Sequence, residues 1–436
     1  MFVFKVPKYK TFVGSVRLKG DKSISHRVLI FSSLCKDEET KVYNLGLSDD
    51  IIATIGILKN LGVYLEDKHD FFVVRGKGLY FDEPSDILYA YESGTTARIF
   101  CSVLASQRFS CVIDGKEALR KRPMRRVVDP LRKIGAKIWG REDGNNLPLL
   151  FDGIGRFRGG QNFDIPVSSA QVKTALLISN FWSDGPVGVK EPSVSRDHTE
   201  RILPAFSVDI RKDESGYIYA VGVPKSPKSL NIPGDISSAS FLIAISILFP
   251  NSEIIIRDVS LNPTRMGFIH ILQKMGAKIQ VIQKDSYAGE PYGDIFSSTS
   301  DLKNLELHSD IIPKIVDEIP ILSVCALFGE GVFIVKDAKE LRFKETDRIN
   351  AICSNFRALG VDVQEFDDGF AFEGLGRDAI HRLSAEYSLK TFSDHRIAMS
   401  LFVLGLVVDG IVYLDDINCI SKSYPDFISD VQALVR

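Results

Sequence analysis

Residues 341–350 read LRFKETDRIN and crowd Lys344, Glu345, Asp347 and Arg348 together directly after an apolar stretch. If this segment opens a helix, Lys344 and Arg348 stand one turn apart on one face, where like charges repel. Two readings are open. Lys344 with Asp347 and Glu345 with Arg348 make i,i+3 opposite pairs, worth about 0.2–0.5 kcal/mol each on a solvated helix. Alternatively, the two cations are there to hold anions. Lys22 and Arg27 in GDKSISHR, Arg98 in SGTTAR and Arg396 in SDHR pose the same choice, with Ser23, Ser169 and Gln171 as accompanying hydrogen-bond formers.

These residues stand at or near the starts of six apolar, small-residue segments, which begin at Gly20, Glu92, Ser168, Gly234, Asp317 and Ser393. Segments apolar on every side read as buried helices, and the Ser, Thr and Asp at their starts suit N-caps. A helix N-terminus offers unpaired N–H groups and about half a positive charge. Cations beside it are unfavourable until a phosphate or carboxylate joins them. If the six helices are arranged alike, several N-termini can face one cleft. Blander readings compete: Lys22 as a loop lysine, Arg98 paired with a carboxylate such as Glu92, and EALRKRPMRRVV (117–128) as a solvated helix or nucleic-acid patch. Pro123 instead marks a loop that leads into a helix at its first position. His198 and His395, each flanked by Asp and Arg, read as structural hydrogen-bonding residues.

The elements that carry these residues repeat. One helix-end signal recurs as LKNLGVYL (Gly62), LRKIGAKI (Gly135), LQKMGAKI (Gly276) and FRALGVDV (Gly360). LPAFSVDI is a degenerate copy with Ser207 in the glycine's place, and VQALVR a cut-short one at 431–436. Glycine there is the left-handed residue that ends a helix, and the β-branched residues after it suit a strand. The period, about seventy residues, exceeds the common solenoid units. Six repeats, each with a buried helix, an amphipathic helix and several strands, predict an α/β architecture.

The 436 residues suggest two to four domains. A net charge of −2 disfavours nucleic acid or a membrane surface, so any anionic ligand must be met by local basic clusters. Cys35, Cys101, Cys111, Cys325, Cys353 and Cys419 are scattered, most of them in apolar runs, and read as reduced core thiols of a cytoplasmic protein. Early lysines interrupt any signal sequence, and no apolar stretch reaches membrane-span length. No His and carboxylate set has metal-ligand spacing.

The stretches GDKSISHR, SGTTAR, KRPMRRVVDPLRKIGAKI, SSAQVKTALL, SRDHTER, GDISSASF, NPTRMG, DEIPIL, ELRFKETDRI, SDHRIAM and KSYPDF follow one another from residue 20 to 427. Together and in this order they resemble the 5-enolpyruvylshikimate-3-phosphate synthase (3-phosphoshikimate 1-carboxyvinyltransferase) family. The resemblance implies a two-domain inside-out α/β barrel, each domain three βαβαββ units with buried parallel helices. Residues 1–20 plus 235–436 would form one domain and 21–234 the other, with the active site between them. It implies transfer of the enolpyruvyl group of phosphoenolpyruvate to the 5-hydroxyl of shikimate 3-phosphate, with release of phosphate. The implied enzyme is a cytoplasmic monomer and a glyphosate target, with no cofactor, metal, nucleic acid or membrane partner.

By the same resemblance, Lys22, Ser23, Arg27, Ser169, Gln171, Arg196, Asp317 and Lys344 are expected around shikimate 3-phosphate. Lys22, Gly94, Arg122, Gln171, Arg348, Arg396 and Lys422 are expected around phosphoenolpyruvate. Asp317 is the implied base and Glu345 the implied acid, with Lys22 close to the transferring protons. Two phosphates and two carboxylates require converging positive charge, preferably from arginine. On this view Lys344 and Arg348 form a clamp, one cation for each substrate, with Glu345 between them. A cleft that admits substrates and later excludes water implies opening and closing.

The chain departs from the family pattern at a few places. Where the family reads G-N-[SA]-G-T, it has Tyr91, Glu92, Ser93, Gly94 and Thr95, so Glu92 sets a carboxylate where asparagine is expected near the phosphoenolpyruvate phosphate. Ala170 stands where some members have serine, and Ser393 where glycine is usual. The rival family of the same architecture, UDP-N-acetylglucosamine enolpyruvyl transferase, generally uses a loop cysteine, and DGKEALRKRPMRR has none. A non-catalytic repeat protein, or a homologue degenerate through Glu92, is the remaining alternative; aromatic–basic interleaving suited to nucleic acid is absent.

Overall fold

The computed structural model describes residues 3–436. The chain forms two compact units. A terminal unit comprises the chain up to Leu18, Gly234–Asp285 and Pro291–Arg436; a central unit comprises Lys19–Pro233 and Ser286–Glu290. Each has its own apolar core. In the central unit the helices Lys22–Ser33, Gly94–Ala105 and Ala170–Ser179 supply most of their residues to that core. In the terminal unit Ile236–Leu248, Ile319–Leu327 and His395–Val407 are buried along their whole length. These six, named below by their first residues, are the apolar segments of the sequence. Hydroxyls inside them bond back to helix carbonyls, Ser240 to Ser237, Ser323 to Ile319 and Ser400 to Arg396, which satisfies a polar group in apolar surroundings.

Five of the six helices begin with a side-chain cap. Asp21, Ser93, Ser169, Asp235 and Asp394 accept from backbone N–H groups of their first turns. The Ile319 helix starts with Glu318 and has proline in its first turn instead. Helix-ending residues take the left-handed conformation expected of them: φ is 80° at Gly62, 101° at Gly135, 102° at Gly276, 84° at Gly360 and 60° at Ser207.

The strands of the described residues form six sheets, five of four strands and one of three. In the four-stranded sheets a parallel pair is extended by antiparallel strands. Ser229–Asn231 runs parallel to Glu39–Tyr43, which pairs antiparallel with Phe71–Arg75, itself antiparallel to Tyr64–Asp67. The sixth sheet holds the parallel pair Glu386–Leu389 and Ile411–Leu414, and Phe4–Lys5 completes it antiparallel. The N-terminal strand thus fills the place that the cut-short last repeat leaves open. Val13–Arg17 likewise pairs in parallel with Glu253–Ser260.

Two local expectations need correction. Lys344 and Arg348 do not share a helix: a 3-10 turn covers Lys339–Phe343, and the helix begins at Arg348. Asp347 caps that helix by accepting from Asn350 N–H, and its other oxygen lies 2.6 Å from Arg342, so the pairing with Lys344 gives way. Pro123 also lies outside its helix, which begins at Arg125.

Tyr91 and Ser393, at positions where the resemblance leads one to expect glycine, have φ of 50° and 53°. A side chain there costs about 1 kcal/mol or more through the clash of Cβ with the carbonyl. Ser393→Gly should raise stability by about 0.5–1 kcal/mol in urea unfolding. Tyr91→Gly gains less, because it also removes the edge-on contact with Tyr89 at 4.9 Å. An unchanged urea midpoint for Ser393→Gly would contradict the strain argument.

Candidate functional site

In the central unit the expected residues gather at the starts of the buried helices. Lys22 opens its helix, and its Nζ lies 2.8 Å from Asp50 Oδ2, both side chains being largely buried. Asp50 is a partner the sequence reading missed; its only signal was an acidic pair in the first turn of the helix Asp49–Asn60. Arg27 is 2% exposed and spends its donors on neutral oxygens. Nε donates to Thr199 Oγ1 at 2.8 Å, Nη1 to the Ser23 carbonyl at 2.8 Å, and Nη2 to Thr174 Oγ1 at 2.9 Å and the Ala170 carbonyl at 3.3 Å. Burial pulls its pKa down to about 10, and Arg196 lies near enough to lower it further against the opposing pull of Glu200, Asp21 and Glu290. Arg27, bonded to the carbonyls of Ser23 and Ala170 at two helix starts and with Arg196 in electrostatic reach, makes a setting that favours an anion.

A second group surrounds Gly94. Arg98 Nη1 donates to Gln171 Oε1 at 2.6 Å, while Gln171 Nε2 donates to Thr95 Oγ1 at 2.8 Å, which fixes the amide between two helix starts. Arg98 Nη2 donates to the Pro123 carbonyl. A Cβ built on Gly94 would lie 2.9 Å from both Arg122 Nη1 and Arg98 Nη1, so only glycine lets the two guanidiniums lie against this backbone. Glu92 has Lys116 Nζ 3.9 Å away.

Beneath this group runs a buried chain of hydrogen bonds: His26 Nδ1 to Thr54 Oγ1 at 2.8 Å, Thr54 to Thr96 at 2.7 Å, and Thr96 to the cap Ser93 at 2.7 Å. Burial, then Lys22 and Arg27, hold His26 well below its ordinary value, with Asp21 opposing. The unfolded chain therefore binds a proton that the folded protein refuses. Stability is full above pH of about 6.5 and falls as pH drops below it, by up to about 1.4 kcal/mol per pH unit. Between pH 7.5 and 5.5 the wild type should lose about 1 kcal/mol more than His26→Asn in urea unfolding; equal losses would contradict this. His198, fully buried, lies 2.7 Å from Glu290, a structural hydrogen bond.

The terminal unit holds the other group, and Arg348 is its centre. This side chain is 1% exposed and faces three carboxylates. Nε donates to Asp394 Oδ2 at 2.8 Å, Nη2 to Glu345 Oε2 at 2.8 Å, and Nη1 to Asp317 Oδ1 at 3.3 Å. Burial works against its charge, but Asp394, Glu345 and Asp317 outweigh it and raise the pKa above the usual arginine value. Asp394 also caps the His395 helix, through Arg396 N–H at 2.8 Å, so one carboxylate fixes both the guanidinium and the helix start.

Arg396 differs. It is 5% exposed, its guanidinium has Asp317 at 3.9 Å and Glu318 at 3.8 Å, and its side-chain donors make no hydrogen bond among the described residues. Lys344 Nζ likewise has no hydrogen-bond partner there; burial lowers its pKa, with Asp317, Glu340 and Glu345 opposing and Arg348 adding to the fall. Lys422 Nζ donates to the Ser393 carbonyl at 2.7 Å. Glu318, absent from the sequence-based set, is 2% exposed and accepts from Ser237, whose hydroxyl lies 2.5 Å from Arg265 Nη2. An Asp–Glu pair ahead of a buried helix was its only sequence signal.

All six cysteines are free and buried, and burial pushes the thiols of Cys35, Cys101, Cys111, Cys353 and Cys419 up to about 12, which leaves them unreactive. No helix among the described residues is long and apolar enough to cross a membrane.

Comparison with known proteins identifies the family. Residues 6–431 match the family described as EPSP synthase (3-phosphoshikimate 1-carboxyvinyltransferase). The 3-phosphoshikimate 1-carboxyvinyltransferase of Aquifex aeolicus is 42% identical over 437 residues, 99% of each chain. That of Petrotoga mobilis is 41% identical over 417 residues, 95% of each. The solved EPSP synthase of Acinetobacter baumannii matches with a TM-score of 0.86 at 32% identity, covering 99% of this chain and 98% of that one. The enolpyruvyl transferase NikO of Streptomyces tendae, at 16% identity and a TM-score of 0.76, covers 99% of this chain and 97% of its own and shares the fold. Matched by sequence from residue 6 to 431 and by fold over nearly its whole length, the chain belongs to the EPSP synthase, or 3-phosphoshikimate 1-carboxyvinyltransferase, family.

Proposed function

We propose that this protein transfers the enolpyruvyl group of phosphoenolpyruvate to the 5-hydroxyl of shikimate 3-phosphate and releases phosphate. The observation that carries this reading is Arg396, a buried guanidinium whose donors make no hydrogen bond among the described residues. Leaving buried donors unmade costs about 1–3 kcal/mol each, and a doubly charged small anion removes that cost. Arg396, Arg122, Lys422, Gly94, Gln171, Arg348 and Lys22 then serve phosphoenolpyruvate. Ser23, Arg27, Ser169, Gln171, Arg196, Lys344, Asp317 and Lys22 serve shikimate 3-phosphate.

Asp317, which lies beside Arg348 and Arg396, takes the proton of the 5-hydroxyl as the hydroxyl oxygen adds to C2 of phosphoenolpyruvate. Glu345 delivers a proton to C3. The adduct then loses phosphate and one proton from the new methyl group, which restores the double bond. Glu345 cannot donate while paired to Arg348 Nη2 at 2.8 Å. A substrate carboxylate that takes over this nitrogen would release Glu345 from the pair.

A phosphate-release assay tests the reading. Release is expected with shikimate 3-phosphate and phosphoenolpyruvate. Release only when UDP-N-acetylglucosamine replaces shikimate 3-phosphate would overturn it. Glu92→Asn removes a negative charge adjoining the Ser93 cap; a like charge at a few ångströms costs on the order of 1–3 kcal/mol near a protein surface. KM for phosphoenolpyruvate should therefore fall about tenfold, with KM for shikimate 3-phosphate unchanged. An unchanged KM for phosphoenolpyruvate would mean that the carboxylate is turned away from the ligand.

A further inference from the structure

Lys173 lies one turn inside the Ala170 helix, in a stretch otherwise made of core residues, and is 1% exposed. Its Nζ is 2.7 Å from Glu191 Oε2 and 2.7 Å from Glu200 Oε1, carboxylates that are themselves nearly buried. Burial works against the ammonium, yet Glu200 and Glu191 more than offset it and raise its pKa. One cation is thus shared by two carboxylates in the interior. The second oxygens, Glu191 Oε1 and Glu200 Oε2, have no hydrogen-bond partner. Such an arrangement is a poor source of stability, because an apolar trio of similar volume avoids the desolvation. Its position suggests another use.

Glu191 and Glu200 bracket the segment 191–200, EPSVSRDHTE, which carries Arg196. The same segment is fastened to the start of the Ala170 helix at other points. Ser168 Oγ donates to the Ser193 carbonyl at 2.6 Å and accepts from Ser193 N–H at 3.0 Å. Glu191 Oε2 accepts from Ser195 N–H at 3.3 Å. Thr199 Oγ1 meets Thr174 Oγ1 at 2.5 Å, and both receive Arg27. Arg27 and Arg196 are near enough for each to oppose the other's charge. Lys173 holds both ends of the backbone that carries Arg196.

We propose that Lys173, with Glu191 and Glu200, is a positioning residue for shikimate 3-phosphate: the buried triad fixes the 191–200 segment so that Arg196 stands ready near Arg27. This rests on the assignment of Arg196 to that substrate. Lys173 does not touch the substrate; it acts through Arg196.

Steady-state kinetics on Lys173→Met, Arg196→Met and the double variant test it, with KM measured for each substrate. Lys173→Met should raise KM for shikimate 3-phosphate about tenfold and leave KM for phosphoenolpyruvate within twofold. In the Arg196→Met background the same change should add less than twofold, since the residue it positions is gone. If Lys173→Met raises KM for shikimate 3-phosphate equally with and without Arg196, or lowers only kcat and thermal stability, the triad is structural and the proposal fails. If Arg196→Met leaves KM for shikimate 3-phosphate unchanged, the assignment of Arg196 fails instead. Should Lys173→Met not fold, Glu200→Gln loosens one end of the bracket without stranding a charge. It should raise the same KM several-fold, and no change there overturns the proposal.

Discussion

Arg348→Gln should reduce turnover about a thousandfold and lower unfolding free energy by about 3–5 kcal/mol. The guanidinium is the shared counter-ion of Asp317, Glu345 and Asp394 and is itself almost fully buried. Without it, three carboxylates repel one another in a region that water barely reaches. Asp394 then loses the partner that holds it while it caps the His395 helix, so the damage spreads to the start of a core element. Arg348→Lys should restore little of either property. Its single ammonium cannot direct three donors at oxygens approached by Nε, Nη1 and Nη2 separately. Urea unfolding and phosphate release measure the two effects. A lysine variant with more than about a tenth of wild-type turnover would show that only the charge matters and not the fork of donors.

Glu345→Gln should separate chemistry from binding and folding. The amide is close in shape to the carboxylate and can still accept from Arg348 Nη2, so stability should stay within about 1 kcal/mol of wild type. It cannot deliver a proton. Turnover should therefore fall by about 10²–10⁴-fold, while both KM values change only a few-fold. Full turnover in this variant would remove Glu345 from the acid role and leave Lys22 as the other candidate donor. A variant that instead raised both KM values at unchanged kcat would make Glu345 a binding residue only.

The Lys344–Arg348 stretch shows where sequence reasoning stopped. The charge pattern pointed to an anion, and the structure gives the two cations different work. Arg348 is enclosed by carboxylates, two of them distant in sequence at Asp317 and Asp394, whereas the Arg396 Nε makes no hydrogen bond among the described residues. No spacing along 341–350 contains that difference, because it depends on which side chains other segments bring to one guanidinium. Lys173 is a stronger case. In the sequence it is one polar residue in SSAQVKTALL, and its meaning depends on Glu191 and Glu200, which the fold places on either side of it.

What the chain determined by itself is local and periodic. The six buried helices, their Ser and Asp caps and the left-handed glycines that end the amphipathic helices are all legible, because each is set by the φ/ψ preferences and apolar periodicity of a few neighbouring residues. Tertiary structure alone decided the closure of the last sheet by Phe4–Lys5 and the pairing of each buried charge. Strand pairing and ion pairing between distant segments depend on distances of a few ångströms in space, and separation along the chain carries no record of them.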